Sequence, residues 1–137
     1  MSVVLDTNIV VYLIERAPDI GPAAAAHVEV LLSQGERLVV SDLVRRECRV
    51  RPLRLGDAVT LAAYDGYFGS EDVEVVPITP AVCDRAATIR ARDRFRPMDA
   101  LHLAAAIEHG CGRFLTHDSR LGAFPDIAVE LLGRASP

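Results

Sequence analysis

At 137 residues the chain has room for one buried core, and its balance of 50% hydrophobic to 25% charged residues matches a folded globular protein and argues against disorder. The formal net charge is -4 and all fifteen basic residues are Arg, which excludes chemistry that needs a lysine amine, such as a P-loop phosphate clamp or a Schiff base. Aromatics at 5%, with no Trp, argue against an aromatic base-stacking surface, and three scattered cysteines (Cys48, Cys83, Cys111) indicate neither a disulfide framework nor a zinc site.

Met1 leads straight into an apolar strand, Val3 to Leu5. No apolar stretch has the length of a membrane span or the layout of a signal peptide, so a cytoplasmic protein is expected. A helix follows from Ile9 to Arg16, and a second begins near Pro22, because Pro suits the first helical position. Strand Leu38 to Val40 precedes helices at Leu43 to Arg49 and at roughly Gly56 to Phe68. After a strand at Val73 to Val76, Thr79-Pro80 opens a helix toward Arg94, and Pro97 opens another that ends at a Gly110 cap. Strands Arg113 to Thr116 and Ile127 to Leu131 follow, with a loop at Gly122 to Pro125 between them. Short apolar strands separated by helices favour a parallel sheet covered on both faces: an α/β fold, a three-layer α/β/α sandwich, in one domain spanning residues 1–137. Two helices, Ile9 to Ile14 and Ala100 to Ile107, are apolar nearly all round and are expected to be buried on more than one side. For the first, a partner protein is expected to supply the second cover; the alternative cover is the chain's own Pro22 to Leu32 helix.

In such a fold, strand carboxyl ends and helix amino ends share one rim, where ligands bind. Four acids sort to it. Asp6 follows the first strand, Glu47 lies about a turn and a half into the helix after the second, Asp99 is in the first turn of the helix that feeds the fourth, and Asp118 follows the fourth. Singly, each has a structural explanation. Asp6, Thr7 or Asn8 would cap a helix, Glu47 would pair with Arg51, Asp99 would complement a helix dipole, and Asp118 would head an Asx turn. Jointly, four carboxylates with no Lys among them repel one another unless a cation sits between them, and Mg²⁺ or Mn²⁺ suits an oxygen-ligand shell better than zinc. His102 is expected to be hydrogen-bonded in the core and His117 to point away from Asp118, neither acting as a ligand. Cys48 reads as a small buried residue.

Four segments also resemble the successive motifs of PIN-domain ribonucleases of the VapC type: VLDTN from Val4 to Asn8, SDLVRRE from Ser41 to Glu47, MDALHLAAAIEHG from Met98 to Gly110, and FLTHD from Phe114 to Asp118. The resemblance implies a parallel five-stranded sandwich with the first and fourth strands adjacent at its centre. It implies that Asp6 and Asp99 are principal metal ligands, with Glu47 and Asp118 completing a catalytic quartet, Asp118 also at the metal. Thr7, Asn8 and Thr116 would be supporting polar residues. The implied activity is metal-dependent endoribonuclease cleavage, water attacking in line to leave 5′-phosphate and 3′-hydroxyl ends, in the toxin of a toxin-antitoxin pair.

RNA, a cognate antitoxin and a second copy of the chain are the expected partners. Arg92 and Arg94, within the cluster from Arg85 to Arg96, are candidate phosphate contacts. A phosphotransfer receiver would need a Lys, and an aspartyl phosphatase a second Asp where Asn8 stands. The remaining alternative is a catalytically inactive module of the same shape that binds a partner protein or nucleic acid.

Overall fold

The computed structural model describes residues 1–133. In chain order its elements are β1 (Ser2–Leu5), α1 (Thr7–Ile14), α2 (Ile20–Ser33), β2 (Arg37–Ser41), α3 (Asp42–Leu55), α4 (Ala58–Phe68), β3 (Glu74–Val76), α5 (Pro80–Arg92), α6 (Pro97–Glu108), β4 (Arg113–Thr116), a 3₁₀ turn (Ser119–Ala123) and β5 (Ala128–Leu131). The five strands form one sheet in the order β3-β2-β1-β4-β5, and every neighbouring pair is parallel. This is the expected five-stranded α/β/α sandwich, with β1 at its centre. No helix of the described residues is long and apolar enough to cross a membrane.

The strands are short and apolar on both sides because each feeds two cores. Side chains alternate across a sheet with a period of two. Val3, Leu5, Leu38, Val40 and Leu115 therefore join one buried cluster with residues of α1 to α4, such as Ile9, Val28, Val44 and Tyr64. Val4, Val39 and Phe114 face the other cluster, with Val82, Ile89, Ala100 and Leu103 of α5 and α6. The run Ala104, Ala105 and Ala106 is buried in α6, as expected of a helix enclosed on several sides.

Most boundaries shift by one or two residues, and three differences have a clear local cause. Helix α3 runs through Pro52 to Leu55 instead of ending at Arg49. Pro52 removes the bond its N–H would make to the Cys48 carbonyl, but it lies in the last turn, and Gly56, left-handed at φ 65°, terminates the helix shortly after it. Asp57 then caps α4 by accepting from the Thr60 N–H at 3.0 Å, so that helix starts at Ala58 and not at Gly56. Part of the expected Gly122 to Pro125 loop is a 3₁₀ turn, headed by Asp118.

The chain itself supplies part of the cover of α1. Ile9 and Val10 are buried, and Val11, Tyr12, Leu13 and Ile14 are partly buried against the same cluster, because α2, α3 and α4 all pack on this helix. The chain therefore covers much of α1 itself, and with more helices than the one foreseen. Exposed apolar side chains lie instead on α2 to α4: Val30, Leu32, Val50, Leu53, Leu55 and Val59.

Candidate active site

Strand order changes direction at β1, which is flanked by β2 on one side and β4 on the other. The crevice of a parallel sheet opens at such a switch point, outside the strand carboxyl ends. Here Asp6 leaves β1, Asp118 lies just past β4, Glu47 projects from the second turn of α3, and Asp99 is in the first turn of α6. All four line one open cleft, together with Thr7, Asn8, Met98 and His102.

A polar lattice ties the β1 and β4 exits together. The buried hydroxyl of Thr116 donates to Asp6 Oδ2 at 2.7 Å and accepts from the Asp118 N–H at 3.0 Å, so one side chain sets the spacing of two acids. Asn8 Nδ2 approaches both Asp6 Oδ2 and Thr116 Oγ1 at 3.4 Å, while Asn8 Oδ1 accepts from the His117 N–H at 3.2 Å. The Thr7 N–H donates to Asp6 Oδ1 at 2.8 Å. The Thr7 hydroxyl is buried without a hydrogen bond of ordinary geometry, yet lies near enough to Glu47 to favour its charge.

Electrostatics divide the acids. Burial, with a further contribution from the Glu47 charge, lifts the Asp6 carboxyl above its ordinary range, although His102, Thr116 and the Thr7 N–H pull the other way. Burial also pushes Glu47 upward, but the His102 hydrogen bond and charge, together with Thr7 and Arg46, outweigh it and leave Glu47 lowered. His102 Nε2 meets Glu47 Oε1 at 2.7 Å. Burial opposes protonation of that ring, but Glu47, Asp6 and Asp99 together raise it. Asp118 is held low by Arg120, whose Nε and Nη2 reach its two oxygens.

Asp99 Oδ2 is buried and accepts no hydrogen bond. A carboxylate oxygen with no hydrogen bond and only a 3.6 Å ion pair to Arg120, in a cleft shared with an Asp whose charge is disfavoured by burial, fits a hard cation better than it fits a purely structural role. The carboxylates that could hold it are those of Asp6, Asp99 and Asp118. Among the described residues, no three His, Cys, Asp or Glu side chains are already drawn together as a ligand set. Mutual repulsion and the turn of Asp118 toward Arg120 account for that spread.

The structure brings together every predicted site acid and supporting polar residue. Arg92 lies elsewhere, paired with Asp93 and Asp126 and set over the Phe124 ring, whereas Arg94 is exposed. Two features exceeded the sequence reading. A core hydrogen bond was expected for His102, but not that its partner would be Glu47. Arg120 was missed, although its place two residues after an acid is a signal for a local ion pair. His117 turns to the Tyr12 hydroxyl at 2.9 Å, away from Asp118. Burial pushes the Cys48 thiol up to about 12, which removes it as a nucleophile.

Fold and cleft thus define a parallel α/β domain with an acid-lined cleft at its topological switch point. The protein-family model described as PIN domain matches residues 3–129. The chain belongs to the PIN-domain family. A VapC ribonuclease of Mycobacterium bovis is 31% identical over 133 residues, covering 91% of this chain and 96% of that protein. Ribonuclease VapC13 of Mycobacterium tuberculosis matches to the same extent. Among solved structures, VapBC2 from Rickettsia felis, bound to a promoter DNA fragment, superposes with a TM-score of 0.80 at 18% identity, covering 96% of this chain and 99% of that one. VapC20 of Mycobacterium tuberculosis, described as a toxin that cleaves the sarcin-ricin loop, reaches 0.68 at 17% identity, covering 92% and 98%. At such identities the likeness shows the fold.

Proposed function

We propose that this protein is a divalent-metal-dependent endoribonuclease, the toxin of a toxin-antitoxin pair, acting in the cytoplasm as a homodimer restrained by its antitoxin. Residues 1–137 would form one nuclease domain. The observation that carries the catalytic reading is the meeting of Asp6, Glu47, Asp99 and Asp118, from four separate elements, in one cleft at the switch point. Family membership and the VapC relatives support ribonuclease activity and the toxin role.

Asp6, Asp99 and Asp118 would hold Mg²⁺ or Mn²⁺, which when bound supplies an activated water and offsets charge building on the phosphate. Thr116 and Asn8 orient Asp6, and the Thr116 hydroxyl keeps the Asp118 backbone in register with it. His102 holds Glu47 through Oε1, and the Glu47 carboxylate would serve as the proton acceptor of the cleft. Thr7 helps keep Glu47 ionised for that task.

The test is cleavage of RNA by the purified chain in Mg²⁺ or Mn²⁺ and in EDTA, with analysis of product ends. Cleavage only with metal, leaving 5′-phosphate termini, is the expected outcome; equal cleavage in EDTA would refute the reading. Saturating Mn²⁺ is further expected to raise the melting temperature, since a ligand at a hundred times its dissociation constant stabilises the native state by about 2.7 kcal/mol. Differential scanning calorimetry checks this.

Thr116→Val keeps the side-chain shape and deletes the hydroxyl's hydrogen bonds to Asp6, Asn8 and the Asp118 N–H. Loss of such a supporting contact lowers metal affinity or kcat/KM by roughly 10- to 100-fold. Unchanged values in both measurements would remove Thr116 from the machinery.

Phosphate contacts are assigned to the Arg92 and Arg94 segment, with Arg94 the more available because Arg92 is engaged by Asp93 and Asp126. Arg94→Gln is expected to reduce the salt dependence of RNA binding by up to about one log unit, equally for all sequences. An unchanged slope in filter-binding titrations would make Arg94 a solvated surface residue.

A further inference from the structure

Arg120 is a charged group that contacts two acids of the cleft and that no motif above explains. Its Nε donates to Asp118 Oδ1 at 3.1 Å and its Nη2 to Asp118 Oδ2 at 2.5 Å. The same Nη2 lies 3.6 Å from Asp99 Oδ2, the buried oxygen that accepts no hydrogen bond. One guanidinium thus stands between an acid of α6 and an acid at the β4 exit, two of the three carboxylates assigned to the metal.

The side chain is also built to leave. It is 50% exposed, and the turn that carries it does not depend on the guanidinium, because the Arg120 backbone N–H is held separately by Asp118 Oδ1 at 3.0 Å. Asp99 gains only an ion pair without a hydrogen bond from it, a contact a divalent cation would readily replace.

We infer that Arg120 is a tethered counter-cation, which holds Asp99 and Asp118 in the metal-free protein and is displaced from them when a divalent ion binds. The inference rests on the metal-dependent reading of the cleft. It gives Arg120 two consequences. The acids are kept from repelling one another while the cleft awaits its ion, and metal affinity is set lower than the carboxylates alone would make it. Once released, the guanidinium stays at the mouth of the cleft, where RNA phosphates approach.

Calorimetric titration of Mn²⁺ into the full-length metal-free chain tests this with no reference to turnover. Arg120→Ala is expected to bind Mn²⁺ about fivefold more tightly than the wild type, the size of effect expected when a partly exposed charge pair no longer competes. Arg120→Lys, which keeps the charge but not the fork, should fall between the two. Melting in EDTA should be lower for Arg120→Ala than for the wild type, and the difference should shrink on saturation with Mn²⁺. Equal or weaker Mn²⁺ affinity in Arg120→Ala, with binding intact in all three proteins, would overturn the role of Arg120 and leave the metal reading standing. No Mn²⁺ binding in any of them would overturn both.

Discussion

Asp99→Asn is expected to reduce RNA cleavage by about a thousandfold while the protein stays folded. The residue sits in the first turn of α6, a helix started by Pro97 and anchored by the buried Ala100, Leu103 and Ala104. Asn has nearly the same shape, so this anchoring is retained. What changes is charge at an oxygen that accepts no hydrogen bond and lies in a cleft shared with Asp6, Glu47 and Asp118. With one anion fewer, and an amide NH₂ competing for the position of a ligand oxygen, the cleft loses its hold on a divalent cation. Circular dichroism and the EDTA melting temperature should match the wild type, whereas the Mn²⁺-induced rise in melting temperature should vanish along with turnover. Wild-type turnover in Mg²⁺ would sink the mechanism, because no other acid of the cleft comes from α6.

The largest effect on stability is expected from Phe114→Ala. Phe114 is fully buried on β4, which pairs with the central strand through Val4↔Phe114. Its ring faces the α5 and α6 side, in the cluster that contains Ala100, Leu103 and Ala104. The small alanines cannot move in to fill the space a ring vacates, so the cavity persists and the loss should be about 3–5 kcal/mol. For a domain of this size that lowers the melting temperature by about 10 °C or more. Because β4 carries Thr116 and leads to Asp118, activity should fail at a lower temperature too. Leu53→Ala is the matched control: 58% exposed on α3, it should stay within about 0.5 kcal/mol in urea unfolding. Similar midpoints for the two variants would show that the β4 cluster is not the core described here.

Much of this could be read before any coordinates. The strands were legible because each is a short apolar block, a pattern that arises when both faces of a parallel strand are buried, as Val3 to Leu5 and Leu38 to Val40 are. Pro80 and Pro97 marked helix starts and Gly110 a helix end through their own backbone limits, which operate without any distant partner. The rim rule sorted Asp6, Glu47, Asp99 and Asp118 to one edge from their positions relative to strands and helices alone. Placement of β1 beside β4 came from motif resemblance, since alternation within a strand says nothing about its neighbours.

Pairings between distant residues were decided only by the tertiary structure. Nothing local to Glu47 names His102 as its partner across 55 positions, and nothing local to Thr116 says that its hydroxyl reaches Asp6 across 110. The cover of α1 depended on three helices converging, which its apolar stripe could not distinguish from a partner protein. Arg120 shows the limit most clearly. Fifteen Arg side chains have similar reach, and the clusters at Arg45 to Arg54 and Arg85 to Arg96 drew attention by their density alone. Among the described residues, Arg120 meets two site acids because the 3₁₀ turn after β4 points it back toward α6, a direction set by how β4 and α6 pack and by no pattern along the chain.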